Sequence, residues 1–177
     1  MPTRTDLVVR LATPADWPSM WPIWRAVVAA GDTYTYDPGT PEHAARAMWL
    51  DAPAVRTWVA HAGTQLLGFY KITPNQHGPG AHVANGSYMV AASARGTGVG
   101  RALVEHSLEA ARSAGFLAMQ FNAVVATNVH AIRLYHQLGF ATVGVIPGAF
   151  RHPGAGLVDL VVMHRDLRQD APEIHSA

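Results

Sequence analysis

Residues Met89 to Gly115 read MVAASARGTGVGRALVEHSLEAARSAG and decide how the chain is understood. An apolar, strand-like run ends at Val90. Glycines follow at 96, 98 and 100, and a helix-like run begins at once. The start of a helix presents backbone N–H groups with no partner in the helix, together with the positive end of its dipole. Glycines there remove the side chains that would hold an anion away. Two familiar phosphate loops fail on particular residues. A dinucleotide fingerprint needs a third glycine where Arg101 stands, and a P-loop needs a lysine after its last glycine. Arg101 follows Gly100, and the only lysine, Lys71, lies in an earlier strand-like run. What remains is R-x-x-G-x-G, carried by Arg95, Gly98 and Gly100. An ordinary strand-to-helix turn rich in glycine is the alternative.

Working outward, Leu7–Ala12 reads as a first strand. Thr13 and Pro14 then open a helix as N-cap and first-turn proline. Trp17, Met20, Trp21, Trp24 and Val28 recur on one face of it. Pro18 and Pro22 predict that this helix is irregular. A loop, GDTYTYDPGTP, precedes a short helix over Pro41–Asp51. Residues 56–63 and 64–75 read as a strand pair, and Ala81–Val90 as a further strand. A helix over Gly98–Ala114, a strand over Phe116–Val124 and a helix over 127–139 follow, the last ended by Gly139. Strands over Phe140–Ile146 and Leu157–Leu167 close the chain, with PGAFRHPGAG between them read as a loop. The order β-α-α-β-β-β-α-β-α-β-β predicts one α/β (α+β) domain over residues 1–168, a mixed central sheet flanked by helices. Residues 169–177 read as a disordered tail.

Composition narrows the function. At 177 residues and 49% apolar content the chain supports one real core. A net charge of +1 with no basic stripe gives no case for nucleic acid. The absence of cysteine excludes disulfides, thiolate metal sites and a cysteine nucleophile. The ten histidines show no repeated ligand spacing, so no metal is expected. The first ten residues lack the apolar core of a signal peptide, and no run is long enough to span a bilayer. A cytoplasmic protein without membrane contact is the expectation.

A second motif lies downstream in NAVVATNVHAIRLYHQLGF, Asn122 to Phe140. Asn128 stands at a helix start, and Tyr135 follows two turns later on about the same face. Together with the glycine turn and the element order, this resembles the GCN5-related N-acetyltransferase superfamily over Leu7 to Leu167. The resemblance implies acetyl-CoA as co-substrate and a single-domain fold of that type. It implies that main-chain groups of Met89 and Val90 pair with the pantetheine arm. The turn Arg95, Gly96, Thr97, Gly98, Val99, Gly100 and Arg101 would hold the pyrophosphate. Asn128 and Ala131 would lie along the cofactor arm, and Tyr135 would protonate the departing thiolate. A plain N-cap for Asn128 and a core position for Tyr135 are the alternatives.

The acceptor is marked by polar amides inside apolar strands, which need partners. Strand alternation puts Asn85 and Ser87 on one face with Met89, and Gln120 with Asn122 on one face of the next strand. They either bond backbone and each other or form an acceptor pocket. KITPNQHGPGAHVANGSYMV, FNAVVATN and GLVDLVVMHRDL resemble the fungal acetyltransferases of proline analogues such as azetidine-2-carboxylate. That resemblance implies that Asn85 and Asn122 bind a small amino-acid or imino-acid acceptor, in a detoxification or resistance role. GDTYTYDP resembles the substrate loop of phosphinothricin acetyltransferases and adds Tyr34 and Tyr36. A phosphinothricin-type or other small-amine enzyme is a second reading, and a non-catalytic CoA-binding sensor a third. Polycationic aminoglycosides would need more carboxylates. Asp32, Asp37, Glu42, His77 and His82 are candidates for the base that frees the amine. The apolar closing strands predict a homodimer, since a long edge needs covering.

Overall fold

The computed structural model describes residues 7–168. The reading of residues 169–177 as a disordered tail lies outside them. Seven strands form one sheet: β1 (Leu7–Leu11), β2 (Arg56–Ala62), β3 (Gln65–Pro74), β4 (Val83–Val90), β5 (Ala118–Val125), β6 (Ala141–His152) and β7 (Gly156–Asp166). Their order is β1-β2-β3-β4-β5-β7-β6, with β4 and β5 parallel and every other pair antiparallel. Four α-helices flank the sheet: α1 (Trp17–Ala30), α2 (Glu42–Arg46), α3 (Val99–Ser113) and α4 (Val129–Gln137). The mixed α/β architecture expected from the sequence is therefore the one observed. No described helix is long and apolar enough to cross a membrane.

The sheet separates two cores. On one face α1 and the Trp49 segment bury Trp17, Met20, Trp24, Val28 and Trp49 against Val59, Phe69 and Met89. On the other, α3 buries Leu103, Val104 and Leu108 against Tyr70, Met119 and Phe121. Alternation along β4 decides which face each residue serves: Ala84 joins the α3 core and Met89 the α1 core.

Three expectations change. The helix with Pro18 and Pro22 runs unbroken from Trp17 to Ala30. Pro18 occupies its first turn, where a missing N–H costs nothing, and the bond Pro22 cannot make is one to that same turn. The second helix divides into an α-turn and a π-helical turn over Ala47–Asp51, which carries Trp49 inward. The span 147–156 is mostly strand. β6 continues to His152, and a bulge between Ile146 and Phe150 absorbs Pro147, which has no N–H for the ladder. The Asp159 carboxylate accepts the Gly148 N–H there at 2.9 Å.

The entry to α1 is fixed by one buried acid. Asp16 accepts two hydrogen bonds from the Arg10 guanidinium, at 2.8 and 2.6 Å. It also accepts the Thr13 N–H at 2.7 Å and the Thr13 hydroxyl at 3.0 Å. The Arg10 bonds, against the cost of burial, hold its carboxyl well below the usual carboxylate range. A depressed folded value means stability that is present above the unfolded value, near pH 4, and is lost as pH falls toward the folded one. Asp16→Ala should lower stability by roughly 2–3 kcal/mol, toward the low end for a buried pair because Arg10 is half exposed. Thermal melts should show a gap from wild type of several degrees at pH 7 that narrows toward pH 2. A gap independent of pH would refute the ionic account.

Candidate active site

The site exists because β4 and β5 part. They pair only over Val83–Asn85 and Ala118–Gln120. Beyond Asn85 the strands diverge and leave main-chain groups of β4 without a strand partner. Ala91 donates its N–H to Leu67 at 2.8 Å, which sets the phase of the β3–β4 ladder. Met89 therefore points its N–H and C=O at β3, and Val90 and Tyr88 turn theirs to the gap. Of the expected pair Met89 and Val90, only Val90 turns its main chain into the gap; the main chain of Met89 is spent on β3. The Tyr88 carbonyl is taken by the Tyr34 hydroxyl at 2.7 Å.

The gap opens into a cleft of about 410 Å³ whose wall includes Asn85, Ser87, Met89, Val90, Arg95 and Gly100. Asn122, Asn128, Ala131, Tyr135, Tyr34 and Tyr36 complete the expected set within it. One face of the sheet supplies the Tyr34 loop, and α3 and α4 supply the other end. Gly96, Thr97, Gly98, Val99 and Arg101 form the adjoining turn without lining the cleft. Asp32, Asp37, Glu42, His77 and His82 are all absent from its wall. Two have other tasks: Glu42 accepts the Trp17 indole N–H at 2.9 Å, and Asp37 accepts the Gly39 N–H at 2.7 Å. Among the described residues, the one charged side chain in the wall is Arg95.

The glycine turn has a backbone that could admit an anion. Gly96 and Gly98 sit at φ +75° and +90°, where other residues are strained. Gly98 caps α3 without any side chain. Among the described residues, the N–H groups of Gly96, Gly98, Val99, Gly100 and Arg101 have no acceptor, so all five are free. The Arg95 N–H is spent weakly on Ala92 at 3.4 Å, and the Thr97 N–H on Ala94 at 3.4 Å. The Arg101 side chain reaches Gln137 on α4 and Glu105 on α3, which ties the two helices beside the cleft. Five free donors clustered in sequence around a helix start are of the kind that hold a diphosphate. No group of three or more His, Asp or Glu among the described residues is placed to hold a metal.

Tyr135 stands on α4 among rings. Phe121 lies 4.5 Å away and Phe140 5.9 Å, centroid to centroid. Burial pushes its phenol well above the usual tyrosine value, so it is neutral at physiological pH. Its hydroxyl makes no hydrogen bond to any described residue and is free to act in the cleft. Asn128 caps α4, its Oδ1 accepting the Ala131 N–H at 3.2 Å. That leaves its amide N–H₂ available. Tyr34 and Tyr36 stack at 5.4 Å and 7°, with Trp49 edge-on to Tyr34 at 6.4 Å. Lys71 holds this wall from behind. Its ammonium donates to the Met48 carbonyl at 2.9 Å and sits 4.8 Å over the Trp49 ring, and burial pulls it down to about 8.

Asn85 and Asn122 line the cleft, and both also bond locally. Asn85 donates to the Gln120 carbonyl at 3.0 Å, and Asn122 donates to Asn75 at 2.6 Å. Asn122 lies in a bulge, where Asn122 and Ala123 together oppose one residue of β7. The sequence reading missed Asn75, Thr33, Thr35 and Val27. Asn75 meets Asn122 across 47 residues of chain, and no local pattern signals that contact.

Comparison with known proteins supports this geometry. The family model of the acetyltransferase (GNAT) family matches residues 21–140. A GCN5-related N-acetyltransferase structure from Kribbella flavida is 49% identical, with a TM-score of 0.89 over 93% of this chain and 99% of that one. A phosphinothricin acetyltransferase from Sinorhizobium meliloti in complex with acetyl-CoA is 22% identical, with a TM-score of 0.80 over 91% of this chain and 88% of that one. It shares the fold. The N-acetyltransferase aca1 of Schizosaccharomyces pombe is 39% identical over 112 residues, 63% of this chain and 54% of that protein. The chain thus spans about half the length of that relative. A cleft between parting parallel strands, bordered by a glycine turn of free amides and walled in part by an unengaged phenol, and a family match over residues 21–140 lead to one conclusion: the protein belongs to the acetyltransferase (GNAT) family.

Proposed function

We propose that the protein transfers an acetyl group from acetyl-CoA to the amine of a small amino acid or imino acid, by direct attack within the cleft. The thioester supplies the activated acetyl group. The five free amides of the turn hold the diphosphate, and the Val90 carbonyl offers a strand-like bond to the arm. Asn128 lies beside that arm. The Val90 N–H, turned into the gap, is the donor for the oxyanion that forms when the amine attacks. Tyr135 hands its proton toward the departing sulfur. The acceptor amine must first lose a proton, and no carboxylate or imidazole among the described residues lines the cleft, so water in the open mouth carries it away.

The observation that carries the acceptor reading is the composition of the far wall. Asn85, Asn122, Ser87, Tyr34 and Tyr36 are polar and uncharged. Such a wall suits a compact zwitterion better than a polycation, which would need carboxylates. A toxic proline analogue is the sharper form of this reading and a detoxification role its consequence. A phosphinothricin-type acceptor is the second form, favoured by the Tyr34–Tyr36 loop. A thiol-release assay with azetidine-2-carboxylate, proline, phosphinothricin and a panel of simple amines separates them. Asn85→Ala and Asn122→Ala should each raise the acceptor KM about 10-fold while acetyl-CoA affinity stays within about 2-fold, the loss of one hydrogen bond to a charged group. An equal loss of acetyl-CoA binding would remove the acceptor assignment. Binding of acetyl-CoA with no turnover of any amine would favour a sensor.

We further propose a homodimer through β6, an edge strand that exposes Val143, Val145 and Ile146. Sedimentation at micromolar concentration should give twice the 19.0 kDa chain mass; a monomer would refute it.

A further inference from the structure

We infer that Gln120 and Asn75 are positioning residues that fix which atoms Asn85 and Asn122 present to the acceptor; this rests on the acceptor reading above. Gln120 serves both asparagines. Its main-chain carbonyl accepts the Asn85 amide N–H at 3.0 Å. A carbonyl only accepts, so Asn85 must turn its nitrogen toward β5 and its Oδ1 away. The side chain of Gln120 meanwhile donates to Asn122 Oδ1 at 2.8 Å. Asn122 passes the pattern on, donating from Nδ2 to Asn75 Oδ1 at 2.6 Å.

The result is a polar site with direction. Asn85 keeps a free carbonyl oxygen, which accepts from an amine N–H. Asn122 keeps one free N–H, which donates to a carboxylate. That pair reads an amine and a hydrogen-bond acceptor a short distance apart, the signature of an α-amino or α-imino acid. A simple alkylamine satisfies only half of it. The bonds of the chain Gln120–Asn122–Asn75 are exposed, where water competes, so its worth is in orientation and each link has a modest effect.

Two measurements test this. In the first, Asn75→Leu, Asn75→Asp and Gln120→Leu are compared with wild type, each as the full chain. Side-chain amide NMR of Asn122 should shift in Asn75→Leu and Gln120→Leu and stay near wild type in Asn75→Asp, whose carboxylate still accepts. An unchanged Asn122 amide in Asn75→Leu overturns the relay, whatever the substrate proves to be. In the second, kinetics with azetidine-2-carboxylate, proline and phosphinothricin should show acceptor KM raised about 5-fold in both leucine variants, with kcat and the acetyl-CoA KM within about 2-fold. Asn75→Asp should recover most of the loss. Asn75→Leu combined with Asn122→Ala should be no worse than Asn122→Ala alone, because Asn75 acts through Asn122. If Asn122→Ala raises the acceptor KM and Asn75→Leu does not, the positioning role fails and the acceptor pocket stands. If Asn122→Ala has no effect on KM, the acceptor reading itself fails.

Discussion

Tyr135→Phe is expected to lower kcat by about 100-fold, equivalent to about 2.7 kcal/mol of barrier, while the fold and acetyl-CoA affinity stay close to wild type. The split follows from what the hydroxyl touches. Its ring packs on Phe121 and Phe140, contacts that phenylalanine keeps. Its oxygen has no hydrogen-bond partner among the described residues, so its removal leaves no buried group unsatisfied. Burial raises the phenol, which at first makes it a weaker acid. The same apolar surroundings raise the departing thiolate too, so the proton is wanted where it is held. Stopped-flow measurement of thiol release across pH checks this. The rate should rise with pH in both proteins, because that limb belongs to deprotonation of the acceptor amine. The variant should run about 100-fold lower throughout. Equal rates would leave Tyr135 as a packing residue only.

Much of the fold, and the clustering of these residues around one cleft, was legible from residue order. The glycine turn, the Asn128 cap and Tyr135 lie within short segments, and their meaning depends on spacing that helices and strands fix locally. The alternation of β4 placed Asn85 with Met89 correctly for the same reason. What could not be read depends on ladders and long-range contacts. The phase of the β3–β4 ladder, set by the Ala91 to Leu67 bond, decides that Val90 and not Met89 faces the gap. Alternation assigns side chains to faces, but only the partner strand assigns main-chain groups to edges. The base candidates failed similarly. Asp37 and Glu42 are ordinary helix and turn acids, and their residue type carries no information on whether a cleft lies nearby. The bulge that holds Asn122 and the bulge that hides Pro147 both look like breaks in a pattern, and a sequence cannot distinguish a bulge from a loop.

The second large effect is expected at the turn, where affinity and stability should part company. Gly98→Val places a β-branched residue at φ +90°, a conformation that costs it on the order of 2 kcal/mol. A Cβ at Gly98 meets nothing within 4 Å, so no clash enters and the backbone alone responds. It should relax to negative φ and swing the N–H groups of Gly98 and Val99 away from the proposed diphosphate position. Each such bond to a charged oxygen is worth about 1.5–3 kcal/mol, so the loss of two weakens acetyl-CoA by at least 100-fold. Gly100→Ala separates the remaining possibilities. Gly100 already has helical backbone, and a Cβ there lies 3.8 Å from Val90 Cγ2, an ordinary contact. Alanine favours the helix by up to about 1 kcal/mol, so the unliganded protein should melt slightly higher. Gly100 lines the cleft, so the added methyl group should nevertheless crowd the place proposed for the diphosphate. Calorimetry should therefore show weaker acetyl-CoA binding by about 10-fold in a protein that is more stable. An ordinary glycine turn, with no anion to admit, would give the higher melting temperature with unchanged binding. The opposite movement of the two quantities is what only a phosphate site predicts.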